Sequence, residues 1–305
     1  MFTFTNNELE VCRRLCLGNP TAKQLAEESG LSLRAIYSIL RSLEAKKVIN
    51  VQGSRNRAFV PGDRLHALAL RRFILEQGRP LSCISGGRLL VLLSISKVKK
   101  DRRRIAHETN LAQSSVRRLL NLLKSYGLIA QDGERFGVPA NDPIISFLDD
   151  FSKGSCQALM EDMSDRGILR WYAGLEFIFS APSLKDGAGA WSTGTTAMTE
   201  RGLEFLRPTN HYWYGYWGRK PSTEEIAVHT IAMAPNDPRS VAEAMLLLKK
   251  EGFEPSAFID EATWRGLRPT GVDIVDYLEG KGAPTMTAPD RETMESLLAQ
   301  YGVQG

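Results

Sequence analysis

Residues 25–58 read LAEESGLSLRAIYSILRSLEAKKVINVQGSRNRA, and residues 105–138 read IAHETNLAQSSVRRLLNLLKSYGLIAQDGERFGV, a gapless repeat at an offset of 80. Leu25 aligns with Ile105, Ala26 with Ala106, Glu28 with Glu108, Leu31 with Leu111, Leu40 with Leu120, Leu43 with Leu123, Ile49 with Ile129 and Gly53 with Gly133. Identity is modest, yet the apolar positions coincide almost throughout, so the two copies are expected to bury the same faces. In the first copy Leu25 and Ala26 give a short helix an inward face, and Gly30 supplies the permissive backbone of a tight inter-helix turn. Ser32 is placed to cap a second helix whose stripe is Ile36, Ile39, Leu40 and Leu43. Val48, Ile49 and Val51 then change the period to that of a strand, Gln52-Gly53-Ser54 can turn, and Ala58-Phe59-Val60 can return.

The second copy has Asn110 where the first has Gly30, and asparagine also tolerates a left-handed turn. Its stripe is Val116, Leu119, Leu120 and Leu123. Its hairpin turns around Asp132-Gly133, returns through Phe136-Gly137-Val138 and ends at Pro139.

Residues 5–62 and 84–140 therefore resemble a pair of winged helix-turn-helix domains, as found in many bacterial and archaeal transcription regulators. The resemblance implies that the second helix of each pair enters the major groove of duplex DNA while the hairpin wing lies along phosphate or in the minor groove. Carried over by position, Ser32, Arg34, Tyr37, Ser38 and Arg41 would read or position one site, and Gln113, Ser114, Arg117 and Arg118 the other. Arg55, Arg57 and Arg135 would be wing contacts to phosphate. Arg and Gln suit bidentate base contacts, whereas Ser and wing Arg more often fix position. A polar face opposite an apolar stripe is also what any solvated helix shows, and one copy could serve for packing or dimerisation. The first copy lacks a strong positive cluster on its second helix, so the second copy is expected to be the better DNA reader.

Charge is asymmetric. Residues 1–141 hold 24 of the 39 Lys+Arg and 11 of the 35 Asp+Glu, a balance of +13, and residues 142–305 hold the remaining 15 and 24, a balance of −9. A basic half with the repeats joined to an acidic half suits a DNA-binding part plus an effector part. The densest cationic run, Lys97, Lys99, Lys100, Arg102, Arg103 and Arg104, precedes and enters the first helix of the second motif; Lys99, Lys100, Arg102 and Arg103 are set down as phosphate contacts. No apolar stretch reaches the roughly 18 residues of a membrane span, and MFTFTNNELEVCRRL lacks a signal-peptide layout, so a cytoplasmic protein with no membrane partner is expected. Cys12, Cys16, Cys83 and Cys156 have no metal-ligand spacing; Cys12 and Cys16, one helical turn apart, read as small buried apolar residues. His66, His107, His211 and His229 stand in unrelated contexts, and no catalytic triad, metal site or cofactor is expected.

The expected fold class is α+β, mostly α: a winged-helix domain over 1–62, a connecting helix over 63–83, a second winged-helix domain over 84–141, a linker helix over 142–165, and an acidic α/β domain with a helical tail over 166–305. Leu65, Leu68, Ala69, Arg72, Phe73 and Ile74 form the stripe of the connecting helix. Pro143 opens a long helix over 144–163 with Ile145, Phe147, Leu148 and Phe151 inward. Farther on, a short helix is expected over 196–203, a strand over the aromatic run 211–217, and helices over 222–233, 237–251, 255–265, 272–278 and 290–301, with Pro221, Pro238 and Pro255 in first turns. The aromatic run could stack a ligand, but filling a core is the stronger expectation.

TGTTAMTERGLEFL, the aromatic strand and DPRSVAEAMLLLKK are loosely similar to the C-terminal half of AbiE-type antitoxin regulators, whose fold is related to nucleotidyltransferases. No Asp-x-Asp follows Thr193-Gly194-Thr195, which argues against catalysis. The expectation is thus a sequence-specific duplex-DNA-binding transcriptional regulator, of the antitoxin autorepressor kind or otherwise. It is expected to be a homodimer and not an enzyme, with a protein partner or small effector at the acidic domain. A tandem winged-helix plasmid replication initiator and a nucleotide-acting enzyme are the alternatives.

Overall fold

The computed structural model describes all residues except 19, 54–57, 77, 206–208, 282–287 and 304–305. The fold is α+β and mostly α, and it divides into two compact units, Met1–Leu159 and Met160–Gly305.

The first unit contains both repeats. Its elements are α1 (Asn6–Leu17), α2 (Ala22–Ser29), α3 (Leu33–Ala45), β1 (Ile49–Gln52), β2 (Ala58–Pro61), α4 (Leu65–Glu76), α5 (Gly87–Ser94), β3 (Lys100–Asp101), α6 (Arg102–Thr109), α7 (Gln113–Ser125), β4 (Ala130–Asp132), β5 (Arg135–Gly137) and α8 (Ile144–Met163), whose last residues pass into the second unit. The offset of 80 persists: α3 and α7 begin and end 80 residues apart, and burial repeats position for position over 31–40 and 111–120. Both inter-helix turns are left-handed, at Gly30 (φ 69°) and Asn110 (φ 53°). Ile36, Leu40 and Leu43 are buried, as are Val116, Leu120 and Leu123, while Ile39 and Leu119 lie at the margin. β1 and β2 form an antiparallel hairpin. The second hairpin gains a strand, in the order β3-β5-β4.

The connecting helix buries Ala69 and Phe73 of the expected stripe but not Leu68 or Arg72. His66, Ala67, Ala69, Leu70 and Phe73 are buried, whereas Leu68 is 41% exposed. The reason is α8, which is less a linker than a wall of the first unit's core. Phe147 meets Phe73 at 4.6 Å between ring centroids, and Phe151 meets Phe4 at 5.8 Å and His66 at 6.1 Å. A Cβ on Gly154 would stand 2.3 Å from the backbone nitrogen of His66, so the glycine permits this close approach. Ile144, not Ile145, completes the buried stripe. Cys12 is buried among apolar neighbours, and burial pushes its thiol well above the usual range.

The second unit has a four-stranded antiparallel sheet made of β6 (Ile168–Ala173), β7 (Glu176–Ala181), β8 (Trp191–Ser192) and β9 (Asn210–Gly215), in the order β6-β7-β9-β8. Its helices are α9 (Gly194–Glu200), α10 (Thr223–Met233), α11 (Pro238–Glu251), α12 (Pro255–Trp264), α13 (Arg268–Leu278) and α14 (Arg291–Gln300). Pro238 and Pro255 occupy first turns, but Pro221 lies ahead of the cap, Ser222. α13 starts at Arg268 rather than 272 because Pro269 serves its first turn. The apolar core runs through Ile226, Ile231, Met245, Leu247, Phe258 and Ile274.

The aromatic strand fills core. Trp213 is fully buried, stacked on His229 at 5.2 Å, and its indole N–H donates to Glu176 at 2.9 Å. Glu176 in turn accepts from the buried Arg265 guanidinium at 2.8 Å, and Arg265 also bonds Glu261 and lies 3.8 Å from Glu225. Arg219 pairs with Glu225 at 2.6 Å. Burial disfavours the charged form of Arg265, but the Glu176, Glu261 and Glu225 carboxylates outweigh it and raise the pKa of the guanidinium.

Candidate nucleic-acid interface

The start of α7 differs from the start of α3 in one respect that matters for anions. Ser32 Oγ accepts from the Ala35 amide at 3.2 Å and closes the first turn of α3. Its counterpart in the second copy is Ala112, which makes no side-chain cap. The first amides of α7 therefore keep the positive end of the helix dipole uncompensated by a side chain.

That end opens into a groove of 620 Å³. Arg102 and Arg103 line it from the first turn of α6, Gln113, Ser114 and Arg117 from α7, and Glu134 from the tip of the second hairpin. Asp101 also reaches it, but its carboxylate accepts from the Arg104 amide at 2.9 Å as the cap of α6. The turn that delivers Glu134 needs a positive φ at Gly133 (58°). Three guanidiniums, an amide, a hydroxyl and an uncapped helix end thus share one concave surface. Such a set has the charge and donors that suit an anion such as phosphate, and Gln113 and Arg117 are of the residue types capable of bidentate base contacts.

A buried network underlies this surface. Glu108 accepts from Lys100 Nζ at 2.9 and 2.7 Å, from Arg104 Nε at 2.6 Å and from Ser94 Oγ at 2.7 Å. Burial opposes ionisation of Glu108, but the Lys100 and Arg104 charges outweigh it and hold the carboxyl down at about 2. Lys100 must therefore be corrected as a phosphate contact: it is 5% exposed, its strand pairs with β5 opposite Phe136, and its ammonium is spent on Glu108. Arg104, from the same cationic run, is likewise buried. The run reads as one patch in sequence, but its residues divide between core and surface according to helix phase.

The remaining expected residues fall into four groups. Arg118 and Arg135 are exposed outside the groove lining, Arg135 on β5 opposite Asp101 and Asp132. Lys99 is exposed but bonds Asp132 at 2.8 Å, and that bond holds the Asp132 carboxyl below its usual range. In the first copy Arg34, Tyr37, Ser38 and Arg41 are exposed on α3, and Ser32 is also exposed although it serves as a cap. Arg55 and Arg57 lie outside the described residues.

The Glu176–Arg265 cluster was not singled out from the sequence. Its signal is an acid, Glu176, opening an apolar strand whose six residues are all buried. No protein-family profile, curated protein or solved structure matches the chain. Among the described residues, no group of three or more His, Cys, Asp or Glu side chains could hold a metal ion, and no helix is long and apolar enough to cross a membrane.

Proposed function

We propose that the protein is a sequence-specific duplex-DNA-binding transcriptional regulator that grips DNA through its second helix-turn-helix and hairpin. The observation that carries this reading is the groove in which Arg102, Arg103, Gln113, Ser114 and Arg117 converge on the uncapped start of α7. In this arrangement α7 enters the major groove. Arg102 and Arg103 neutralise phosphate on one side, and Arg135 on the hairpin takes phosphate on the other. The acidic second unit is the effector or protein-interaction part, working in the cytoplasm.

The test is to select duplexes from a random pool with the full chain and measure affinity for the selected sequence and a scrambled one. Arg117→Ala is expected to cost about 1–3 kcal/mol on the selected sequence and to relax discrimination, whereas Arg135→Ala weakens both sequences alike. Failure of the pool to converge, with circular dichroism showing a folded chain, would overturn the proposal.

A further inference from the structure

Of the four carboxylates in residues 97–140, three have partners of their own. Asp101 caps α6 by accepting from the Arg104 amide at 2.9 Å, Glu108 is held by Lys100 and Arg104 in the core, and Asp132 accepts from Lys99 at 2.8 Å. The fourth, Glu134, is exposed and, among the described residues, makes no hydrogen bond or ion pair. Yet it lines the same groove as Arg102, Arg103 and Arg117. A carboxylate that stays unpaired beside three guanidiniums weakens the attraction of that surface for phosphate.

The hairpin fixes where this acid stands. Asp132 pairs with Arg135 across the ladder, so the loop is Gly133-Glu134 alone, and the positive φ of Gly133 (58°) is what so short a turn requires at its first position. Arg135, next in the chain, lies outside the groove lining, so the hairpin puts its acid and not its cation on the surface shared with Gln113 and Arg117. Chemistry then limits what Glu134 meets on a duplex. A carboxylate only accepts hydrogen bonds, whereas phosphate offers acceptors and a like charge, so backbone binding gains nothing from this residue. The donors in the major groove are the exocyclic amino groups of cytosine and adenine. That of adenine stands beside an acceptor ring nitrogen, which repels a carboxylate, whereas the cytosine edge presents its amino group alone.

We infer that Glu134 is a specificity residue that accepts a hydrogen bond from the amino group of a cytosine, so that the groove takes duplexes carrying a C·G pair beneath the second hairpin. This rests on the DNA-binding reading and names the class of duplex that the groove selects. Glu134 repels phosphate in every sequence and gains a bond only from cytosine. It therefore acts on discrimination from both sides, lowering affinity for unlike sequences while supporting the cognate one.

The experiment uses the full chain and the duplex it selects from a random pool, with every base pair of that duplex replaced in turn by each alternative. Wild type is expected to require cytosine at one position and to lose affinity roughly tenfold for any other base there. Glu134→Ala is expected to abolish the preference at that position alone and to bind a scrambled duplex more tightly, with unchanged circular dichroism. Replacing that cytosine by pyrimidin-2-one, which lacks the amino group, should cost wild type the same factor and Glu134→Ala nothing. Equal gains by the variant on selected and scrambled duplexes, with all base preferences intact, would reduce Glu134 to a charge that repels phosphate and overturn the inference. A wild-type profile without a cytosine requirement, or one that Glu134→Ala leaves unchanged, would overturn it too. A pool that converges on no sequence overturns the regulator reading and this inference with it, whereas a convergent pool whose profile ignores Glu134 sinks this inference alone.

Discussion

Glu28 and Glu108 occupy the same position of the repeat and have opposite surroundings. Glu28 is exposed and pairs with Arg14, whereas Glu108 is buried against Lys100, Arg104 and Ser94. Removing its charge would leave two buried cations uncompensated, so Glu108→Gln is expected to destabilise the chain by roughly 3–5 kcal/mol in urea titrations. The pH dependence has a definite sign. The folded carboxyl sits at about 2 against an ordinary 4.5, so its contribution is present above 4.5 and is lost as pH falls towards 2. Urea titrations across that interval should show wild type losing stability more steeply than Glu108→Gln; parallel curves would remove the ion network from the account. Arg265 presents the same physics with the signs exchanged. Arg265→Met would strand Glu176 and Glu261 together in the second unit's interior, and a loss of roughly 3–5 kcal/mol is expected in the same titration.

At the scale of elements, the contact between α4 and α8 depends on one glycine. Gly154→Ala would place a Cβ 2.3 Å from the His66 backbone nitrogen, and backbone cannot yield as a flexible side chain does. The expected cost is about 1–3 kcal/mol of overpacking, read as a lowered thermal midpoint, while Gly189→Ala, which meets nothing within 4 Å, serves as the control. That contact was not legible in the sequence, and the inward face of α4 was legible only at Ala69 and Phe73. Leu68, expected inward, is exposed, and His66, outside the expected stripe, is buried, because the partner of α4 lies some 80 residues onward, and a stripe reports periodicity, not what covers it. What could be read was local: Gly30 and Asn110 in left-handed turns, Ser32 as a cap, Asp132-Gly133 at a hairpin, and prolines at helix starts. The candidate site was half legible for the same reason. Arg102, Arg103, Gln113, Ser114 and Arg117 follow from helix phase, but Lys100 sits on a short strand whose pairing with β5 turns it inward.

For the whole molecule, the division at Leu159 changes which piece of the chain should carry DNA affinity. The basic balance and both repeats end by residue 141, yet Ile144, Phe147, Leu148 and Phe151 of α8 are buried in the first unit's core. A fragment 1–141 would expose the surface they cover and is expected to aggregate or unfold, whereas fragment 1–159 should melt cooperatively. Residues 160–305 carry 21 Asp+Glu against 14 Lys+Arg and would repel phosphate. Fragment 1–159 is therefore expected to bind duplex DNA about as the full chain does, and fragment 160–305 not to bind. With three or four cations among Arg102, Arg103, Arg118 and Arg135 on phosphate, log K should fall against log salt with a slope of about −2.7 to −3.6, at ~0.9 per phosphate. Fluorescence anisotropy over a salt series measures it. A slope near zero would mean that these arginines do not meet the backbone, and retention of affinity by 160–305 alone would move the interface to the other unit.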